Sequence, residues 1–417
     1  MGNEGCNRAK YIITTILIGV FMSACSKEAE SETQTVAPAT RSVPVIEEAR
    51  VSTRIITDPE GYDLGENMIV YVLSENEEST FRLVGKEAGD TVFVGELHKT
   101  GKQIEGMDLY IGDMTSFSGE GTFKLCTRDN RDGTEVAIKD GILEGRCQSM
   151  LEKLEKLEAP AEADECYRLS VMMLSGDIYD EESVDWAYVK KVVKEKCEKE
   201  RQILESETGV TQEEISDRLI VAAVLADFYS VYGDIEPDEV GECLEVAVDI
   251  YDRCSEFADS ADPVALYMAN AALNRATRKS VYRKNTEQYE HSDTYSGKYG
   301  DFEFIADMIY LRSNNVTDID RCNDMIRHIV EEADELSEKV SKDSFCVVND
   351  LDAGSFEETL DGLMICRIAD YVLSENAYDQ VRRDQIHYLY GRNPETMDMT
   401  GDCDDIKTLS KLIFVMK

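Results

Sequence analysis

The chain has 417 residues, 42% of them hydrophobic, which is enough for roughly two or three domains with buried cores. Its formal charge of -41 is spread along the whole length. Because phosphate binding needs clustered Lys and Arg, this acidity argues against a nucleic-acid partner and otherwise indicates a well-solvated surface.

Residues 1–24 are predicted to be an export signal. Arg8 and Lys10 precede an apolar run from Tyr11 to Met22 that is too short to span a bilayer well. Small residues then lead into Cys25, a pattern typical of the bacterial lipobox, so we expect cleavage before Cys25 and lipidation of its thiol. An ordinary signal peptide or a membrane anchor is the alternative. Lipid at Cys25 would hold an exported protein at the cell membrane or surface.

Residues 25–49 are predicted to form a flexible tether. The segment is rich in Glu, Ser, Thr, Ala and Val and contains Pro38 and Pro44. Such a composition keeps a chain extended and unpacked, so it would separate a folded body from the membrane.

Residues 50–130 are predicted to form a small β-sandwich. Short runs of β-forming residues recur about every ten positions, and glycines supply turns between them. Short strands at this spacing are typical of sandwiches. The predicted strands include Ile69–Leu73, Phe81–Val84, Thr91–Val94 and Thr122–Leu125.

Residues 135–417 are predicted to be helical, with roughly ten or eleven helices joined by short loops. Apolar residues from Val240 to Ala258 and from Ile319 to Leu336 fall on one helical face. Residues 215–231 leave little polar face and must be covered on most sides. Helices of both kinds together favour two concentric layers, as in an α/α toroid, and an irregular bundle or solenoid is the alternative.

The cysteines give no sign of a metal site. There are twelve, and removal of Cys6 with lipidation of Cys25 would leave ten. Cys243, Cys254 and Cys322 lie on apolar helix faces, as small buried hydrophobic residues do. No zinc-type spacing is present, so we expect no metal and no cofactor. Disulfides are permitted in an exported protein, but their pairing is not readable.

The segment from Tyr388 to Gly401, YLYGRNPETMDMTG, resembles the LDYLLGRNP…SYVTG segment of glycoside hydrolase family 9, the cellulase family. Ala265–Thr277 is similar to the WAAAELYRATG helix of that family, and Gly145-Arg146-Cys147 to its RCG-like element. The resemblance implies a multidomain protein, with an immunoglobulin-like β-sandwich followed by an (α/α) toroid of the six-hairpin type. Because the chain ends at Lys417, the toroid is expected to lack its C-terminal part.

The resemblance also implies endo-β-1,4-glucanase chemistry with inversion, in which a base and an acid stand about 6.5–9.5 Å apart. The family takes its base from a WxDAGDY loop, of which Asp164 in residues 161–164 is an echo, and Asp177 with Asp180 is a second candidate. Asp164 can equally stabilise a helix start, and Asp177 and Asp180 can belong to a helix–helix turn. No Glu follows Glu395, so the general acid is not found. The catalytic residues therefore stay unknown.

Substrate contacts are expected from the family segment at Tyr388, Arg392 and Asn393. The single tryptophan, Trp186, lies in a charged helix, so tyrosines such as Tyr295 and Tyr299 would have to stack against sugars. The alternative for each tyrosine is packing in the core or at the rim.

Three functions remain open. The chain is a diverged surface glucanase, a pseudoenzyme that keeps the scaffold and binds β-glucan, or an unrelated helical lipoprotein for protein–protein interaction. The eroded base loop and missing acid favour the pseudoenzyme. A β-glucan or related polysaccharide is the expected partner under the glucanase and the pseudoenzyme hypotheses. The protein is expected to contact the membrane through the lipid anchor only.

Overall fold

A computed structural model describes residues 52–178, 184–206, 211, 214–233, 236–291, 298–343, 345, 347, 355–401 and 403–417. The predicted signal, the tether, Cys25 and Asp180 lie outside these residues. All of the described residues belong to one compact unit. Among the helices that the structure describes, none combines the length and apolar character needed to cross a bilayer.

The N-terminal domain is a β-sandwich whose strands are all antiparallel. The first half of the long strand β4 pairs with β3 and its second half with β5, so one continuous sheet folds over on itself. The strand order β1-β2-β5-β4 and β3-β6-β7 is the ABED and CFG arrangement of the immunoglobulin fold. The strands are β1 (Thr53–Ile56), β2 (Ile69–Ser74), β3 (Thr80–Gly85), β4 (Thr91–Ile104), β5 (Met107–Asp113), β6 (Gly121–Cys126) and β7 (Thr134–Ile138).

The sandwich extends beyond its predicted end at residue 130. Strand β7 occupies residues 134–138, part of which was expected to be helical. Val136 and Ile138 alternate with polar or small neighbours and are buried in the sandwich core, where Tyr62 bridges to Ile138. Alternation of apolar and polar residues over only five positions is too short to indicate a strand when a long helical region follows.

The rest of the described chain forms twelve α-helices. They pair as six hairpins, and the even-numbered helices form an inner ring that the odd-numbered helices cover. The predicted six-hairpin toroid is confirmed. The helices are α1 (Ile142–Lys156), α2 (Glu162–Ile178), α3 (Trp186–Glu205), α4 (Ile215–Tyr232), α5 (Pro237–Ser255), α6 (Pro263–Thr277), α7 (Ser280–Glu287), α8 (Asp301–Leu311), α9 (Ile319–Lys342), α10 (Ser355–Leu373), α11 (Asp379–Leu389) and α12 (Ile406–Met416).

Burial along the helices follows their layer. The inner helix α4 is buried on all sides from Leu219 to Phe228, as its nearly continuous apolar sequence requires. The outer helix α9 buries few of its residues and shows one apolar stripe. Within the inner ring, α8 and α10 make the weakest contact of the neighbouring pairs, which leaves a gap between the fourth and fifth hairpins.

The sandwich docks on the toroid through buried charge. Asp58 lies fully buried between Arg146 of α1 and His387 of α11, whose Nδ1 is 2.7 Å from Asp58 Oδ2. The other imidazole nitrogen, Nε2, lies 3.1 Å from Glu66 Oε1. Burial opposes the charge on His387, but its bonds to the two carboxylates outweigh that effect and raise its pKa. Asp63 accepts a 2.6 Å bond from the backbone N–H of Ile142 at the start of α1.

Candidate active site at the mouth of the toroid

The inner helices begin at one rim of the toroid, which we call the mouth. Contacts across it join the first turns of different helices, for example Tyr299 Oη to Asp217 Oδ1 at 2.8 Å. Every inner helix starts with a carboxylate, because the helix dipole and the unpaired N–H groups favour negative charge there. These acidic residues are Glu162, Asp217, Asp262, Asp301, Glu357 and Asp405.

A buried lysine lies among the mouth carboxylates. Lys411 of α12 is only 1% exposed, and its Nζ lies 2.7 Å from Asp361, 3.3 Å from Glu357 and 3.4 Å from Asp301. Lys407, one turn earlier, binds Asp301 at 2.6 Å. Burial opposes the ammonium charge, but the carboxylates of Asp361 and Asp301 outweigh it and raise the pKa of Lys411. The ammonium therefore stays charged, and these carboxylates serve as its counter-ions.

The two carboxylates that share Lys411, those of Asp301 and Asp361, stand closer together than an inverting pair does. Because Asp301 and Asp361 bind the same nitrogen, at 3.4 and 2.7 Å, their oxygens lie within about 6 Å of each other, and an inverting pair needs about 6.5–9.5 Å. The adjoining pocket, between Tyr167, Phe304 and Glu332, encloses about 130 Å³. Ligand pockets usually enclose roughly 300–1,000 Å³, so this pocket is smaller than a typical ligand site.

Residues 170–402, more than half of the chain, match the family model described as glycosyl hydrolase family 9. The chain belongs to glycosyl hydrolase family 9. No curated protein is similar enough to match.

Solved structures of family 9 proteins share the fold. A protein described as Bacteroides ovatus GH9 superposes with a TM-score of 0.69 at 12% identity, over 87% of this chain and 98% of that one. A metagenome-derived family 9 endoglucanase gives 0.66 at 11% identity, over the same shares of the two chains. A thermostable endoglucanase mutant from Alicyclobacillus acidocaldarius gives 0.65 at 16% identity, over 82% of this chain and 83% of that one.

The two candidate bases that the structure describes lie at opposite ends of one helix. Asp164 is half-buried in the first turn of α2, at the mouth, and Asp177 is in its last turn. Thirteen residues of α-helix separate them by about 20 Å, so they cannot flank one glycosidic bond. Asp177 pairs instead with Arg275, at 2.7 Å, and with Arg312. It therefore acts as a counter-ion at the end of the toroid opposite the mouth.

The predicted substrate contacts in the family segment are internal. Arg392 is fully buried, and its Nη2 donates to Asp384 Oδ1 at 2.6 Å. Asn393 is also fully buried, and its amide donates to the carbonyls of Tyr388 and Met397 at 2.8 and 2.7 Å. A role for these residues in binding sugar stays a prediction, without support from their burial.

Tyr388, Tyr299 and Trp186 also contact other side chains of the protein. Tyr388 packs beside Tyr71 of the sandwich in an apolar cluster at the docking surface. Tyr299 binds Asp217 at the mouth, while Tyr295 lies outside the described residues. Trp186 of α3 packs against Tyr232 of α4 with the two rings tilted and their centres 5.4 Å apart.

Sequence reasoning missed the lysine at the mouth. Helix α12 reads IKTLSKLIFVM, so Lys407 and Lys411 are one turn apart in an otherwise apolar segment. Lysines in such a segment need buried acidic partners, so the sequence of α12 alone could have predicted a buried ion pair. Their partners lie on α8 and α10, more than forty residues away, and only the fold brings them together.

Proposed function

We propose that this family 9 protein binds β-glucan at the cell surface and does not hydrolyse it. The observation that carries the proposal is the buried Lys411 ammonium, which pairs with three carboxylates at the mouth. A general acid must hold a proton at neutral pH, and a base must be free to accept one from water. Burial opposes ionisation of Asp301, but Lys411 and Lys407 outweigh it and lower the pKa of Asp301. Burial raises the pKa of Asp361, whose oxygen nevertheless lies 2.7 Å from Lys411 Nζ. Carboxylates engaged in this way with a buried ammonium are not free for either role.

The proposed ligand class comes from the family. Two of the similar structures are named endoglucanases, and a third similar structure is a complex with a cellobiose-like isofagomine. The strongly acidic surface of this chain would repel polysaccharides that carry uronic acids or sulfate. A neutral β-glucan agrees with the named activity of the similar structures and would not be repelled by the acidic surface.

Affinity electrophoresis tests the binding half of the proposal. The full chain, purified in detergent, is run in native gels that contain soluble β-1,4-glucan, mixed-linkage β-glucan or polygalacturonate. We expect retardation in the two neutral glucans and none in the acidic polymer. Unchanged mobility in every gel would exclude the proposed function and leave a surface protein that binds other proteins.

Anchoring by lipid at Cys25 is part of the same proposal. The residue follows an apolar segment and small residues at the N-terminus. We expect a Cys25→Ser variant, expressed in a bacterial host, to leave the detergent-soluble membrane fraction in which the unchanged protein is found. A Cys6→Ser variant is the matched control and should stay in the membrane fraction. If Cys25→Ser also stays there, an uncleaved apolar segment is the anchor.

A further inference from the structure

The gap between the fourth and fifth hairpins forms a groove on the side of the toroid. It lies between α8, α9 and α10 and encloses about 880 Å³, which is within the range of ligand sites and far larger than the mouth pocket. It adjoins that pocket, since Phe304, Glu332 and Ile365 line both. Its floor is apolar and includes Phe304, Met308, Met325, Ile329 and Ile365.

Two polar groups from different helices line this groove, namely Asp307 and Arg321. Asp307 of α8 is 8% exposed, and its Oδ1 accepts a 2.7 Å hydrogen bond from Tyr267 Oη. Burial raises the pKa of Asp307 to about 7, so near neutrality its carboxyl can either donate or accept a hydrogen bond. A second carboxylate, Glu303, is one turn away and accepts a bond from Tyr289 Oη at 2.7 Å.

The other polar group, Arg321, lies at the start of α9. Its Nη1 donates to the carbonyl of Tyr289 at 2.8 Å, and its Nη2 lies 3.0 Å from His291 Nε2. The remaining donor, Nε, is buried and has no hydrogen-bond partner in the part of the chain that the structure describes. Because Arg321 lines the groove, its guanidinium is placed to donate a hydrogen bond to an acceptor bound there.

The charge of the groove limits what it can hold. Carboxylates of Asp318, Asp320, Asp324 and Glu332 surround the single guanidinium of Arg321. Phosphates, sulfates and uronic acids would therefore be repelled. An apolar floor with a carboxyl-rich rim suits a neutral polyol, whose C–H faces pack on the floor and whose hydroxyls donate to carboxylates.

We propose that this lateral groove, and not the mouth, holds a neutral oligosaccharide, with Asp307 and Arg321 as its principal hydrogen-bonding partners. This proposal rests on the proposed function and adds the place where the sugar binds. The sugar would bind in the gap between the fourth and fifth hairpins, beside the mouth whose carboxylates pair with Lys411.

Binding of cellotetraose to variants of the full chain, measured by titration calorimetry, tests this placement. Met325→Trp would fill the groove from a half-buried position, and Arg321→Met would remove the donor while keeping the aliphatic stem. We expect each to weaken binding by at least about tenfold, a loss of about 1.4 kcal/mol. Glu331→Gln removes a charge from the exposed side of α9 outside the groove lining and is the matched control, with unchanged binding expected. Circular dichroism and thermal unfolding show that each variant is folded.

The outcomes separate the site from the function. If cellotetraose binds the unchanged chain and both groove variants equally, the lateral site is excluded while glucan binding stands. Loss of binding in Asp361→Asn with the groove variants unaffected would locate the sugar at the mouth and also overturn the proposal. If the unchanged chain binds no cellotetraose in the calorimeter and no glucan in the gels, both proposals fail together.

Discussion

At the scale of single residues, Gly391 explains why the segment from Tyr388 to Gly401 looks like a family motif. Its φ is +113°, and a Cβ at this position would lie 3.0 Å from Pro59 Cγ in the sandwich. The turn that this glycine allows leads into Arg392 and Asn393, whose side chains are buried. The motif therefore builds a buried turn against the other domain.

Substitution of this glycine should be costly. We expect Gly391→Ala to lower the free energy of unfolding by about 2 kcal/mol, because left-handed backbone strain adds to the contact with Pro59. Gly145→Ala is the matched control, since Gly145 lies within α1 with open space around its Cα. It should raise stability by about 0.5–1 kcal/mol. Urea unfolding measures both, and equal effects of the two changes would contradict the expectation.

The buried carboxyl of Asp307 should make stability depend on pH. The pKa of Asp307 is raised to about 7 in the folded state, whereas it is about 4 in the unfolded chain. The contribution of Asp307 to the free energy of unfolding is therefore fully present below about pH 4, and it is lost as the pH rises through 7. Asp307→Asn keeps an oxygen that accepts the hydrogen bond from Tyr267, and it removes the pH-dependent loss of stability because an amide does not ionise. We expect the stability gain of the variant to be on the order of 2–3 kcal/mol larger at pH 8 than at pH 5. A gain that is the same at both pH values would contradict a pKa of about 7 for Asp307 in the folded protein.

At the scale of elements, the sandwich and the toroid are joined by one buried ionic network. Asp58, in the chain segment that follows β1, meets α1 through Arg146 and α11 through His387. Burial opposes ionisation of Asp58, but the bonds to His387 and Arg146 outweigh it and lower its pKa. Removal of Asp58 would take from both buried cations the one counter-ion that they share.

The docking network gives a sharp test of coupling between the domains. We expect Asp58→Asn to destabilise the protein by about 3 kcal/mol, because Arg146 and His387 lose the buried counter-ion that they share and keep only Glu60 and Glu66, respectively. Asp108→Asn, which removes an exposed pair with Lys99 on the sandwich, should leave stability nearly unchanged, because exposed ion pairs contribute little. Calorimetry of the two variants decides. If Asp58→Asn unfolds at the same temperature as the unchanged protein, the domains are not coupled through this network.

At the scale of the whole molecule, the layers were predictable and the mouth was not. The apolar run of residues 215–231 and the one-sided stripe from Ile319 to Leu336 each belong to one helix, so local periodicity indicated inner and outer layers. The cluster around Lys411 draws on α8, α10 and α12, and no local pattern tells which first turns will meet. For the same reason Asp164 and Asp177 looked like equivalent candidates, although a full helix separates them.

The release of reducing ends from soluble β-glucan by the full chain, between pH 5 and pH 8, tests the closed mouth most directly. We expect none above the blank, from the same preparation that β-glucan retards in a gel, because the mouth carboxylates neutralise Lys411. Steady release that Asp301→Asn or Asp361→Asn abolishes would contradict this expectation and establish a working hydrolase at the mouth.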